Sequence, residues 1–507
     1  MNSLFSYFKT ALLIVLLVSV NAQASIIESQ LSNNIVVKIA VTDIPTSLSP
    51  YGSVSLDAQY SHLFFDPLVR WGQDKKIEYR LLAKLKTVKK DKIRFTLKKK
   101  IMFHSGNLLT SNDVIWSFNH ALKSKYLRQK LQHNIKIKRV NRYQFDIQTK
   151  LTQEQLLDYL THIFILDSAY YKKNKINQNS AQTALHPPIK TLPLSGTGPY
   201  RVASFYAGVN LRVETNISYW QNQPMFKHLN FVKIKSIDSR LYALLAGDVD
   251  ISEAISNKNI NSVHFLDSKK IYQTAPLNTL FLTINEKKSD QFGRETARNA
   301  IHLAINQQGM LKHILKGTGA VNSVFKVPSI ATSVTQVPVY NTKRAKYLIK
   351  EIEVPEQLSL LVMTDETGYI PEVIFALINM LKKVGLQLTV QQVNTAKQWH
   401  ALQSEYDFLL STWHSPLMVP ENIYQDIFTN SLLSSYIQPL FKEQKGKLTQ
   451  ADKVLLFEQY QRSDRIIPLF SKNDIWATDK QFELEGIFST NAIPYWHLLA
   501  PTQQSSE

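Results

Sequence analysis

Two hydrophobic periods alternate along the chain. Val36-Val37-Lys38-Ile39-Ala40-Val41 is β-branched and nearly continuous in apolar residues, the pattern of a parallel strand buried inside a sheet. Strict alternation with polar residues returns at Ile93/Phe95/Leu97, Tyr143/Phe145/Ile147 and Val209/Leu211/Val213, which predicts half-buried strands. Helical spacing lies between them. Thr110 and Asp113 form a capping box ahead of Val114, Ile115, Phe118, Ala121 and Leu122. Ala297, Ala300, Ile301, Ala304, Leu311 and Ile314 make a second stripe. A third, Val373, Ile374, Leu377, Leu381 and Val384, stops at Gly385 and precedes the alternating strand Leu386, Leu388, Val390, a βα unit. This mixture predicts an α/β fold, and no internal repeat suggests a solenoid. The loop Asp43 to Tyr51, with two prolines, leaves the end of the first strand; such loops line ligand crevices in open α/β sheets, which makes Asp43 and Tyr51 candidate contacts. Breaks are expected in the polar stretch Lys172 to Gln182 and His186-Pro187-Pro188, near Pro276, and near Lys472-Asn473-Asp474.

Length and composition turn this pattern into several packed lobes: 507 residues, 44% hydrophobic and 20% charged. Residues 1–24 read as a secretory signal, with Lys9 ahead of the apolar run Ala11 to Val20 and Ala22-Gln23-Ala24 fitting the small-x-small cleavage rule. Ten apolar residues fall short of the roughly 20 that span a bilayer, and an uncleaved anchor is the lesser alternative. With no Cys there is no disulfide, no thiolate metal site and no acceptor for a lipid. An exported, unlipidated protein of a Gram-negative periplasm is therefore expected. The net charge of +19, which falls to +18 when Lys9 leaves with the signal, favours anionic partners, but export argues against nucleic acid. Nine Lys or Arg and the single acid Asp91 crowd Lys84 to Lys100, where the favoured reading is the wet face of an edge hairpin guarded by lysines, ahead of an anion-binding patch.

Catalytic and cofactor motifs are missing. The 13 His come no closer than His302 to His313, so no local chelating pair exists, and there is no Gly-x-Ser-x-Gly elbow, Walker loop or dinucleotide fingerprint. Gly196-Thr197-Gly198 is followed by Pro199, which lacks the N–H that a phosphate loop would offer, and reads as a turn. No catalytic residue, metal site or cofactor is expected.

Six segments, in order, resemble the extracytoplasmic solute-binding proteins of peptide and nickel ABC transporters. Phe103-His104-Ser105-Gly106-Asn107-Leu108-Leu109-Thr110-Ser111-Asn112-Asp113-Val114 is similar to the family's F-H-D-G-x-x-L-T-A-x-D-V signature, and Gly196-Thr197-Gly198-Pro199-Tyr200 matches its G-T-G-P-Y turn. Asn216 to Trp220, Gly247-Asp248-Val249-Asp250, Arg298 to Asn306 and Ile467-Pro468-Leu469 continue the series. Tyr200 and Trp220 are expected to pack as scaffold and the glycines to supply special backbone angles. The resemblance implies a bilobal, type II periplasmic-binding-protein-like fold with an inserted subdomain. Lobe I would comprise 25–60, 190–277 and 475–507, the insert 61–189, and lobe II 278–474, with the hinge at Pro276 and Asn473.

It also implies a monomeric peptide-transport binder that closes on oligopeptides or peptide-like solutes and delivers them to ABC permease subunits. The alternatives are a periplasmic sensor or chaperone-like protein on the same fold, and a hydrolase. In peptide-binding relatives an Asp in a W-x-x-D-Y-x-D-P loop holds the ligand ammonium. The matching loop here is Trp413-His414-Ser415-Pro416-Leu417-Met418-Val419-Pro420, so Pro416 and Val419 stand at both acidic positions. Trp413 is the expected flat wall against ligand; His414 and Ser415 flank it, and Glu421 or Asp43 are the candidates to replace the missing acid.

Overall fold

The computed structural model describes residues 35–51, 54–124, 127–128, 131, 135–174, 194–321, 339–363, 370–423, 452 and 462–502. The expected signal peptide and nearly all of the expected linker, from 175 to 188, lie outside the described residues.

The β-branched run folds as the strand Val36–Val41, central in a seven-stranded sheet. It pairs in parallel with His228–Lys233 on one side and Ile251–Ser252 on the other. Its near-continuous apolarity has a direct cause. Val37, Ile39 and Val41 enter the largest core, while Ala40 faces a smaller one made with Leu241, Leu244 and Val263 from two helices. Tyr200–Tyr206 and Asn210–Thr215 extend one side, Ile475–Asp479 and Lys269–Gln273 the other.

A second sheet of five strands, in the order Gln387–Val393, Gln357–Met363, Phe408–Trp413, Asn278–Ile284, Ile466–Lys472, has its own core. The helix Ile370–Lys383 links the parallel pair Gln357–Met363 and Gln387–Val393, and Gly385, at φ +94, makes the stop between helix and strand. The stripe from Ala297 to Ile314 is two helices, Glu295–Ala304 and Gln307–His313. The predicted continuity fails at Asn306, whose side chain accepts the Gly309 N–H at 2.7 Å and starts a new helix.

A third sheet of four strands, Leu82–Lys89, Lys92–Leu97, Gln144–Gln148 and Lys136–Asn141, buries Ile93, Phe95, Phe145 and Ile147 beside the helix Ser111–Ala121. That helix starts as expected, with Asp113 accepting the Thr110 N–H at 2.9 Å. Leu82–Lys89 is the outer strand of this sheet, so the lysine-rich hairpin lies at an edge as expected, while its second strand, Lys92–Leu97, is paired on both sides.

The six recurring segments are scaffold, and four of their residues meet around the helix that ends at Phe64. A Cβ on Gly198 would lie 2.3 Å from the Phe64 carbonyl carbon, so only glycine lets the chain pass. Thr197 and Trp220 donate to Asp66 Oδ2 at 3.0 and 2.9 Å, and Arg80 pairs with Oδ1 at 3.0 Å. His104 shares a hydrogen bond with the Gly198 carbonyl at 3.0 Å, tying the first motif to the second. Tyr200 is fully buried and donates to the Phe226 carbonyl. Arg298 is buried, with its guanidinium on the carbonyls of Ser463, Phe292 and Gly293.

Burial holds His104 neutral, with its pKa lowered from 6.5 to about 4; His62 and His497, also desolvated and facing Arg70 and Arg80, lie well below 6.5. A folded pKa below the unfolded one means that the unfolded chain takes up protons first. Stability is thus complete above 6.5 and is lost as pH falls toward 4. His104→Gln should remove about 2 kcal/mol of the loss between pH 7 and 5. Urea unfolding at the two pH values measures it, and an equally steep acid limb in the variant would refute the assignment.

Candidate functional site

The chain passes from the first sheet to the second between Gln273 and Asn278 and returns between Lys472 and Ile475. The two crossings are stapled together. The Thr274 N–H donates to the Asp474 carbonyl and the Asp474 N–H to Thr274 Oγ1, both at 3.0 Å, while the Asn278 amide reaches Asp474 Oδ1 at 3.1 Å. Among the described residues the chain crosses between the two sheets at these two places, the arrangement of a hinge.

Beside the hinge lie the carboxyl ends of the central strands. The loop after Val41 places Asp43 on Lys233, 2.5 Å away, and its carbonyl accepts the Tyr60 hydroxyl at 2.8 Å. Glu253, just past the parallel strand Ile251–Ser252, accepts the Thr42 N–H at 2.7 Å. Burial raises the Glu253 pKa, the Thr42 N–H and Arg240 oppose that rise, and the negative charge of Asp474 adds to it. His414 comes from the second sheet and is kept neutral by burial against the pull of the same Asp474 and of the Leu277 backbone. Asp474 thus lies within electrostatic range of a lobe I acid and a lobe II histidine. Crevices at carboxyl strand ends, where connections diverge, are the usual ligand sites of α/β sheets.

Of the residues expected here, Trp413 ends the strand Phe408–Trp413 opposite Thr279, half-buried against the larger core, and His414 and Ser415 follow it. Ser415 Oγ accepts the Leu417 N–H at 3.2 Å, which shapes the turn. Glu421 is exposed next to Asn422. Tyr51 must be corrected: it sits in the core with its hydroxyl given to the carbonyls of Phe164 and Ser117 at 2.6 and 3.3 Å, so no donor remains for a ligand.

Nothing in the sequence pointed to Asp158, from the helix Gln153–Leu160. This fully buried carboxylate collects Trp71 Nε1 at 2.8 Å, the backbone N–H groups of Met418 and Val419 at 3.1 and 3.0 Å, and the Asn422 amide at 2.8 Å. His162 Nε2 and the Asn491 amide meet the Pro416 carbonyl at 3.3 and 3.0 Å. The stretch where acids were expected is therefore clasped to the opposite side by its own backbone. No cation pairs with Asp158 among the described residues, and desolvation raises its pKa against the pull of these donors.

Residues 76–433 match the model of the bacterial extracellular solute-binding proteins, family 5, middle region. The chain belongs to this family. This family 5 binding protein is 22% identical over 399 residues to the oligopeptide-binding protein AppA of Bacillus subtilis, covering 71% of this chain and 68% of AppA. It is 24% identical over 317 residues to the periplasmic murein peptide-binding protein MppA of Escherichia coli, covering 59% and 58%. Its fold superposes with a TM-score of 0.72 on the periplasmic binding protein DppA of Helicobacter pylori in complex with the peptide STSA, at 17% identity, covering 92% of this chain and 98% of that one. The score is 0.78 for NikA of Brucella suis in complex with Fe(III)-EDTA, at 15% identity, covering 92% and 100%. The fold is therefore bilobal and type II, and it accommodates a peptide in one relative and a metal chelate in another. No helix among the described residues is long and apolar enough to cross a membrane.

Asp158→Asn keeps the shape and one acceptor oxygen but turns an amide donor toward the donors on the other, so it should cost about 1–3 kcal/mol and loosen the loop. Urea unfolding and limited proteolysis within 414–423 would show it; an unchanged melt and cleavage pattern would remove Asp158 from this role.

Proposed function

We propose that this protein is the solute-binding component of an ABC importer in the periplasm, a monomer without enzymatic activity that carries peptides or peptide-like solutes to its permease. Membership of family 5 is the observation that carries the reading. Lobe I is assigned 25–60, 190–277 and 475–507, the inserted subdomain 61–189 and lobe II 278–474. Support comes from the two stapled crossings and from the core that covers one side of the five-stranded sheet, while Phe281 and Ile466 of that sheet pack into the larger core.

The ligand is assigned to the crevice bounded by Asp43 and Glu253 on one side and Trp413, His414 and Ser415 on the other. Trp413 supplies a flat apolar wall, and neutral His414 can share a hydrogen bond with a ligand polar group. An enclosed ammonium needs a counter-charge, and the loop offers none at Pro416 or Val419. Asp43 is committed to Lys233, Asp474 has Lys472 3.6 Å away and Glu421 is exposed, so Glu253 is the better source of negative potential for an amine. A proton-bearing solute docking there would relieve the mutual repulsion that Asp474 imposes on Glu253.

Native mass spectrometry of protein purified from its own periplasm without refolding tests the reading. A mixed ladder of peptide masses establishes the carrier; a single non-peptide mass, or a cleft that stays empty in peptide mixtures, overturns it. For any ligand so identified, Trp413→Ala should weaken binding about tenfold or more by calorimetry while the melting temperature holds, as expected when a buried aromatic anchor is truncated. Unchanged affinity would exclude Trp413 from the site.

A further inference from the structure

The four-stranded sheet gathers cations from segments that are remote in sequence onto one face. Residues directly opposite in an antiparallel pair share a face, so the register can be read across the strands. Lys86 lies opposite Arg94, Arg94 opposite Asp146, and Asp146 opposite Lys138. The flanking rows run Lys89, Lys92, Gln148, Lys136 and Lys84, Thr96, Gln144. The intervening row, with Leu85, Phe95 and Phe145, turns toward the core.

The outer face therefore carries seven cations, Lys84, Lys86, Lys89, Lys92, Arg94, Lys136 and Lys138, against the one carboxylate of Asp146. Asp146 is spent on Lys92 at 2.9 Å and Arg94 at 2.8 Å. The other five are exposed lysines with no ion pair among the described residues; Asp91, at the turn beside them, accepts from Gln148. Guarding sheet edges needs a lysine on each outer strand, but it does not require both edges to place their lysines on one face with Lys92 and Arg94 between. Four strands about 4.8 Å apart make this face about 15 Å wide, so its charges lie within about two screening lengths and act together.

We propose that this face docks on an anionic bilayer surface. The sheet is broad, and its free charges are lysines, compact mobile ammonium groups that suit a diffuse field of headgroups. Among the described residues these five lysines are exposed and do not converge on a buried point, as recognition of a single phosphate would require. The proposal rests on the exported, permease-coupled reading only for why a membrane is near; vesicle binding is measured without any solute, so either can fail alone.

The chain from Ser25 onward is co-sedimented with phosphatidylcholine vesicles with and without about 30% phosphatidylglycerol, at about 50 mM and about 500 mM salt. Binding is expected only to the anionic vesicles and should weaken about tenfold or more in high salt. The quadruple variant Lys84→Glu, Lys86→Glu, Lys136→Glu, Lys138→Glu should lose it at an unchanged melting temperature. A control of equal charge change in lobe II, Lys287→Glu, Lys288→Glu, Lys343→Glu, Lys346→Glu, should retain most of it. Equal loss in both variants would assign the effect to net charge and overturn the proposal. So would retention in the first variant, or a wild type that ignores the vesicles, including one held only by a soluble acidic polypeptide.

Discussion

A carboxylate in a protein interior needs donors on all sides, and Asp158 is met by neutral ones alone. Because its donors come from the Trp71 hairpin and from a loop 260 residues further along, satisfying this one buried group fixes one part of the molecule against another. The loop that carries Trp413, His414 and Ser415 is thereby held by its backbone at Met418 and Val419, with His414 beside the Leu277 backbone at the crossing. Backbone anchoring also explains why Pro416 and Val419 are tolerated there. The turn does not rely on its own acidic side chains for shape, since Asp158 supplies the acceptor from across the interface and Asn491 secures the Pro416 carbonyl.

The hinge works on the opposite principle. Its two crossings are short and joined by hydrogen bonds between Thr274 and Asp474, which can bend as a pair while keeping their register. Asp474 belongs to this staple and also acts on Glu253 and His414, so the electrostatics of the crevice are tied to the joint about which the lobes would move.

Buried polar clusters elsewhere serve placement. Asp66 gathers Arg80, Thr197 and Trp220, and Arg298 gathers three carbonyls, so the segments most recognisable in the sequence are those where a single geometry satisfies several buried groups at once. They identify the architecture while saying little about the cargo, in keeping with relatives of the same fold that are seen with a peptide or with a chelate.

By itself the sequence determined the local elements. The unbroken run Val36 to Val41 announced a strand covered on both faces, Asp113 announced a helix start, and Gly385 a helix stop, because each depends on neighbours within a few residues. The Trp413 loop was marked only by its resemblance to the family's W-x-x-D-Y-x-D-P loop, in which Trp413 and Pro420 match. The split at Asn306 was hidden, because a capping side chain can interrupt a helix without interrupting its apolar stripe. Tyr51 was misjudged, because nothing local says that its hydroxyl will find the carbonyls of Ser117 and Phe164. Asp158 and Glu253 were decided by tertiary structure alone; the lysine-rich run from Lys84 to Lys100 was visible in the sequence, but its sharing one face with Lys136 and Lys138 was not. Each is defined by groups from distant segments, and a charge acquires its meaning from the donors, acids or lysines that folding sets within a few ångströms of it.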